Sequence, residues 1–297
     1  MESKYPIYIV SKGRWESRLT SKALEKLKMP YYIVVEKQQY KDYDSVIDSS
    51  KILVLPKKYQ EEYDTCDDLG STKSKGPGAA RNFCWDHSIQ NNFKRHWVMD
   101  DNIRGFQILN HNKKTDAETG RIFRIAEDFI DRYTNIALSG FHYDYFMTAR
   151  DKHPPYILNT RIYSILLIQN DIPYRWRGRY NEDTDLSLRA LKDGWCTLLF
   201  NYFLAMKVTT QVMKGGCSDE FYFKEGTLNK SKMQVNLHPD VSTLVFKYKR
   251  WHHYVNYKPF QFNKLIKRKG LIVPKRFNNH GLVLVDKKDE GDDNGRE

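Results

Sequence analysis

Short apolar runs of strand length alternate along this chain with stretches whose apolar residues recur every third or fourth position. Ile7-Tyr8-Ile9-Val10 reads as a buried strand. Trp15, Leu19, Ala23, Leu24 and Leu27 then follow at helical spacing until Met29-Pro30 ends the helix. Tyr31-Tyr32-Ile33-Val34-Val35 is a second strand, ending in Glu36, which closes a βαβ unit. Ile52-Leu53-Val54-Leu55-Pro56 is a third, followed by a polar loop from Asp64 to Lys75. Gly76-Pro77-Gly78 opens a helix carrying Ala79, Ala80, Phe83, Trp85 and Ile89, which leads into the strand Trp97-Val98-Met99.

Beyond it, residues 103–109 read as a strand. Ile122, Ile125, Ala126, Phe129, Ile130 and Tyr133 form a helical stripe, residues 136–141 return to strand and turn, and 156–168 are strand-like. Leu186, Leu188, Ala190 and Leu191 mark another helix, and a mixed helical segment containing His238-Pro239 follows the loop at Gly215-Gly216. Strands alternating with helices predict an α/β fold, a Rossmann-like, mostly parallel central sheet covered on both faces. The chain shows no internal repeat.

At 297 residues, 40% of them hydrophobic, the chain can bury a large core. No apolar run approaches the roughly 20 residues that span a bilayer, and the first residues lack the apolar core of a signal peptide, so no membrane partner is expected. Cys66, Cys84, Cys196 and Cys217 are scattered without metal or disulfide spacing, which fits a reducing cytoplasm. The net charge of +12 is concentrated in one tract: residues 241–285 hold ten Lys or Arg and no acid, while the remainder holds 39 basic and 37 acidic residues. Aromatics such as Phe246, Tyr248, Trp251, Tyr254 and Tyr257 are interleaved with those charges, as suits phosphate neutralisation and base stacking, or a solvated basic face over an aromatic core.

Two acidic clusters are the candidate chemistry. The Trp97 strand runs into Asp100-Asp101-Asn102, and acids at the carboxyl edge of a sheet can present a divalent cation, although Asp-Asn also starts turns. Asn181-Glu182-Asp183-Thr184-Asp185 opens the second helix. Asp183 or Glu182 can there serve as a general base kept ionised by the helix dipole, or the acids can simply cap the helix. Lys214 with Gly215-Gly216 offers a cation and backbone N–H groups for a diphosphate. Clustered carboxylates also serve nucleotidyltransferases and nucleases, and a DNA-binding module that has lost catalysis is a third possibility.

The order Gly76-Pro77-Gly78-Ala79-Ala80-Arg81-Asn82, then Asp100-Asp101, then Trp176-Arg177-Gly178-Arg179-Tyr180-Asn181-Glu182-Asp183 resembles the ARN, DxD and W-G-x-E-D elements of GT-A glycosyltransferases over residues 5–215. Tyr8-Ile9-Val10-Ser11-Lys12-Gly13-Arg14, Pro30 to Glu36 and Arg179 to Asp185 look closer still to the TET/JBP-associated glycosyltransferases, a phage group thought to glycosylate hydroxymethylated pyrimidines in DNA.

The resemblance implies a GT-A core over residues 1–215, a basic aromatic region over 216–285 that completes the active site and binds DNA, and a disordered tail over 286–297. It implies transfer of a hexose from UDP-glucose or UDP-GlcNAc to 5-hydroxymethylcytosine, with Mn2+ or Mg2+ as cofactor. The donor is expected near Ser11, Arg14, Glu36, Arg81, Asp100 and Lys214. The metal is expected on Asp100 or Asp101 with His238, ahead of His252 and His253, as a further ligand. Lys249, Arg250, Trp251, Lys267, Arg268 and Lys269 are expected on DNA. The chain departs from DxD by carrying Asn102 at the third place, where an amide is a weak ligand.

Overall fold

The computed structural model describes residues 3–67, 76–110, 113–148, 153–208 and 227–272. Its first βαβ unit is β1 (Ile7–Val10), α1 (Leu19–Lys26) and β2 (Tyr32–Val35). The helix starts later than the apolar spacing implies because Arg18 takes a left-handed conformation (φ 34°). After α2 (Tyr40–Asp44) come β3 (Ile52–Val54), α3 (Lys57–Glu61), α4 (Gly78–Gln90) and β4 (Arg95–Asp100). β1 pairs in parallel with both β2 and β4, and β2 with β3, which leaves their carboxyl ends along one edge.

The second half adds β5 (Ile103–Asn110), β6 (Lys113–Asp116), α5 (Arg121–Ile130), β7 (Ile136–Tyr143), β8 (Tyr156–Leu158), β9 (Ile165–Gln169), α6 (Glu182–Lys192) and β10 (Cys196–Lys207). The ten-stranded sheet runs β3-β2-β1-β4-β9-β7-β10-β5-β6, with β8 on β10. The pairings make it mixed: seven strands share one direction, and β5, β8 and β9 run against them. Residues 156–168 are not one strand, because Asn159 (φ 56°) and Ser164 (φ 63°) break the run between β8 and β9.

β4 shows how the sheet is held. Trp97 and Met99 face one side, packed with Phe123 and Ala126 of α5, while Val98 faces the other with Trp85 of α4 and Leu186 and Ala190 of α6. All are buried, so the period-2 alternation of β4 puts apolar side chains on both faces, as a sheet covered by helices requires. The Trp97 indole N–H donates to Glu127 Oε1 at 2.8 Å, giving the buried ring its polar partner.

After α7 (Leu228–Leu237), the basic tract folds as a hairpin, β11 (Ser242–Lys247) and β12 (Arg250–Val255). Its two-residue turn holds Tyr248 and Lys249 at φ 53° and 60°, the mirror-image turn that matches strand twist. Val241 and Phe260 then pack on Leu188 and Leu191 of α6. Asn159 Nδ2 donates to Phe260 O and Asn263 O at 2.9 Å each, fastening the tract to the core. Residues 286–297 and Lys214 lie outside the described residues.

Candidate active site

The carboxyl ends of β1, β2 and β4 open into a cleft of about 1020 Å³, also lined by residues of α4, the β7 end, α6 and the last residue of β10. In α/β sheets this edge is where ligands bind. Ser11, Arg14, Glu36, Arg81, Asp100, Asp101, Glu182 and Asp183 all line it. Residues 100 and 183, distant along the chain, therefore share one cavity.

Arg81 joins them. Its Nη2 donates to Asp100 Oδ1 at 2.8 Å, and its Nη1 donates to Glu182 Oε1 at 3.1 Å and to Asp183 Oδ1. The guanidinium is buried and stacks on the Trp176 indole, 4.6 Å from the ring centroid. The next residue locks the same turn: Asn82 Nδ2 donates to Trp176 O at 3.0 Å, and Trp176 N donates to Asn82 Oδ1 at 2.9 Å. The Ala-Arg-Asn and Trp-Arg-Gly motifs are thus two halves of one contact. Its closeness needs glycine at 76, whose φ is 74° and where a Cβ would stand 2.9 Å from Arg179 O.

Charge in the node is set by burial and these partners. Burial works against ionising Asp100, but Lys207 and Arg81 outweigh it and hold its carboxyl below the usual carboxylate range. Burial, then the charge of Asp183, pushes Glu182 up to about 7. Burial also pushes Asp183 up, against the pull of Arg81. Burial of these first-turn acids works against the ionisation that the helix dipole favours. Of the two, Glu182 is the one set to exchange a proton near neutrality. Asn181 does not cap α6 with its side chain, whose Nδ2 donates to Lys230 O at 2.8 Å and ties α7 to the site.

Asp101 turns inward from this node. Ser11 Oγ donates to its Oδ2 at 2.7 Å and Arg14 Nη1 pairs with its Oδ1, so both oxygens are engaged in a buried contact. Ser11 and Arg14 thereby act on Asp101. Glu36 accepts from Gln60 Nε2 at 2.9 Å and pairs with Lys12 at 3.3 Å.

The described donor set does not fit a divalent cation. Asp100 has Arg81 on one oxygen, and Lys207 Nζ and Ser164 Oγ at 2.8 and 2.7 Å on the other. Asp101 is closed by Ser11 and Arg14. His238 is buried away from the cleft lining, its Nε2 2.9 Å from Asp185 Oδ1 in a cluster with Arg177 and Arg189, so it does not join Asp100. Asn102 Oδ1 is a buried acceptor without a partner among the described residues, but one neutral amide oxygen makes no cation site. Among the described residues, no group of three or more His, Cys, Asp or Glu is placed to hold a metal.

The basic tract is divided. Lys249, Arg250 and Trp251 belong to the hairpin, and Arg250 lines the cleft. Lys267, Arg268 and Lys269 sit elsewhere: Lys267 bridges Tyr133, and Arg268 N donates to Arg132 O at 2.9 Å, just before β7 begins. β7 runs from there to the cleft, roughly 23 Å at about 3.3 Å per residue. The six positions do not form one patch. Residues that carried no motif complete the cleft: Tyr143, Tyr145, Phe146, Arg161, Ser164 and Lys207. An aromatic cluster in the sequence around 143–146 hinted at the first three, whereas nothing marked Lys207.

Residues 5–216 match the profile of the TET-Associated Glycosyltransferase family. The chain belongs to the TET-associated glycosyltransferases. A glycosyltransferase of this family would bind a sugar donor. No curated protein matches the chain. Among solved structures, mannose-1-phosphate geranyltransferase from Thermus thermophilus is similar with a TM-score of 0.29 and 12% identity, over 80% of this chain and 64% of that one. The match thus spans less than two thirds of that protein, and at this level it carries no argument. No described helix of this TET-associated glycosyltransferase is long and apolar enough to cross a membrane.

Proposed function

We propose that this TET-associated glycosyltransferase transfers a hexose from UDP-glucose or UDP-GlcNAc to the hydroxymethyl oxygen of 5-hydroxymethylcytosine in DNA. The observation that carries the reading is the Arg81 guanidinium, which holds Asp100 of β4 and the Glu182–Asp183 pair of α6 over one cleft. A sugar nucleotide laid over the β1–β4 edge has its anomeric carbon between the acid pair and the cationic side.

In this reading Asp183, with Glu182 beside it, accepts the proton of the incoming hydroxyl. The acceptor oxygen bonds to the anomeric carbon, the bond to the diphosphate breaks, and its electron pair leaves with UDP. Burial raises the proton affinity of Asp183, which suits a carboxylate that must take a proton. Ser11, Arg14 and Glu36 shape the nucleotide end, the first two by fixing Asp101.

Support for a DNA acceptor lies in charge and in the hairpin. Among the described residues, nine Lys or Arg and six Asp or Glu line the cleft, a surplus of three positive charges. Beside it the hairpin exposes Tyr248 (87%) and Trp251 (40%) among Lys247, Lys249 and Arg250. Cations for phosphates and rings for bases are the equipment of a nucleic-acid surface.

The test is a screen by mass spectrometry of duplexes bearing cytosine, 5-hydroxymethylcytosine or 5-hydroxymethyluracil, each with each UDP-sugar. Hexose mass on the 5-hydroxymethylcytosine strand alone is expected. Transfer only to 5-hydroxymethyluracil would move the acceptor, and no DNA product with any donor would refute the reading.

A further inference from the structure

Lys207 closes β10 with its ammonium enclosed beside Asp100, 2.8 Å from Oδ2, and 3.2 Å from Tyr143 Oη, with Ser164 Oγ as a third partner. A lysine here is unusual in its burial, since an ammonium leaves water only where acceptors replace its hydration. Asp100 supplies the opposite charge, and burial notwithstanding, Lys207 stays firmly protonated beside it.

Asn102 explains why the ammonium stands there. Its Nδ2 donates to Val208 O at 2.9 Å, and Val208 N donates to Asn102 O at 2.9 Å. The neighbour of Lys207 is clasped at two points by the residue two places beyond Asp100. An ionised aspartate at 102 has no N–H for Val208 O. The amide in the acidic stretch is a fastener for the end of β10, and the cation it delivers to Asp100 is Lys207.

We propose that Lys207 is the cation that meets the donor's diphosphate, so that donor binding and sugar transfer by this enzyme need no divalent metal. This rests on the nucleotide-sugar reading of the cleft. As the anomeric C–O bond breaks, its electron pair moves onto a diphosphate oxygen. Lys207 turns its longest contact, the one to Tyr143, into an N–H···O bond to that oxygen while keeping its proton. Arg81, with three carboxylates around it, stays the brace of the acids, and Lys207, held beside Asp100 at the end of β4, acts as a point charge for phosphate. The surplus of three positive charges among the described cleft residues works to offset the donor's negative charge.

The experiment is calorimetric titration of UDP and of uridine into wild-type protein and Lys207→Met, in excess EDTA and in Mn2+, with transfer assayed in both buffers. Wild type is expected to bind UDP in EDTA with an affinity within about threefold of that in Mn2+, and to turn over in both. Lys207→Met is expected to lose about tenfold or more in UDP affinity, the scale of one charge-assisted hydrogen bond, while uridine binds as before. UDP binding by wild type only with Mn2+ overturns the proposal and leaves the donor reading intact. Lys207→Met binding UDP as wild type does also overturns it. No binding of UDP or uridine in either buffer instead overturns the donor reading. If Lys207→Met fails to bind uridine through misfolding, the wild-type comparison of EDTA with Mn2+ decides alone.

Discussion

Arg81 touches three carboxylates from two elements, and its removal would leave them facing one another in a buried space. Arg81→Met is expected to cost about 3–5 kcal/mol, the range for breaking a buried ion pair from one side, read as a lower urea midpoint. The acid pair makes a second expectation. Because Glu182 is raised to about 7 from an ordinary 4.5, the folded protein holds that proton more tightly than the unfolded chain. Its contribution to stability is complete below about 4.5 and is lost as pH rises through about 7. Glu182→Gln is therefore expected to flatten the fall in melting temperature across that window, measured by calorimetry at several pH values. Transfer should move the opposite way in wild type, rising with pH through about 7 as Glu182 loses its proton and leaves the acid pair free to act as a base. A rate that falls across that range would contradict the assignment. At this scale the acids and Arg81 were legible, because motifs keep them together in sequence. Lys207 was not: a single lysine at a strand end carries no pattern, and only the clasp between Asn102 and Val208 reveals its duty. His238 failed as a ligand because its place along the chain says nothing of its being spent on Asp185.

Among elements, β1, α4, β4, α5 and α6 follow from apolar periodicity and turn residues, since each buries a face or stripe that the period displays. β10 was missed although it is twelve residues long and central. Its apolar run is broken by Thr197, Asn201 and Tyr202, and its register shifts twice against β7, so no period of two persists. The buried Asn201 is explained only in three dimensions, where its Nδ2 donates to Pro154 O at 2.9 Å. β4 depends on Trp97 for its packing against α5. Trp97→Ala is expected to cost about 3–5 kcal/mol by leaving a cavity and removing one of the donors to Glu127, which keeps Ser3 and Lys4, with chemical denaturation as the measure.

For the whole molecule, composition foretold a basic tract but not its division. The chain passes from the hairpin beside the cleft, over α6 at Phe260, to Arg132 at the far end of β7. Lys249→Glu with Arg250→Glu is expected to weaken DNA binding across sequences and to reduce its salt slope by about 2, whereas reversal of Lys267, Arg268 and Lys269 should weaken it less. Fluorescence anisotropy over a salt series checks both, and a larger loss from the far cluster would place the duplex across the back of the sheet. In the proposed reaction Asp100 and Asp183 face one sugar nucleotide, the second as the base. The most direct measurement pairs UDP affinity with hexose transfer to a 5-hydroxymethylcytosine duplex in Asp183→Asn. Affinity within about twofold of wild type, with transfer lower by about 10²–10⁴, is the predicted result, and transfer at the wild-type rate would contradict it.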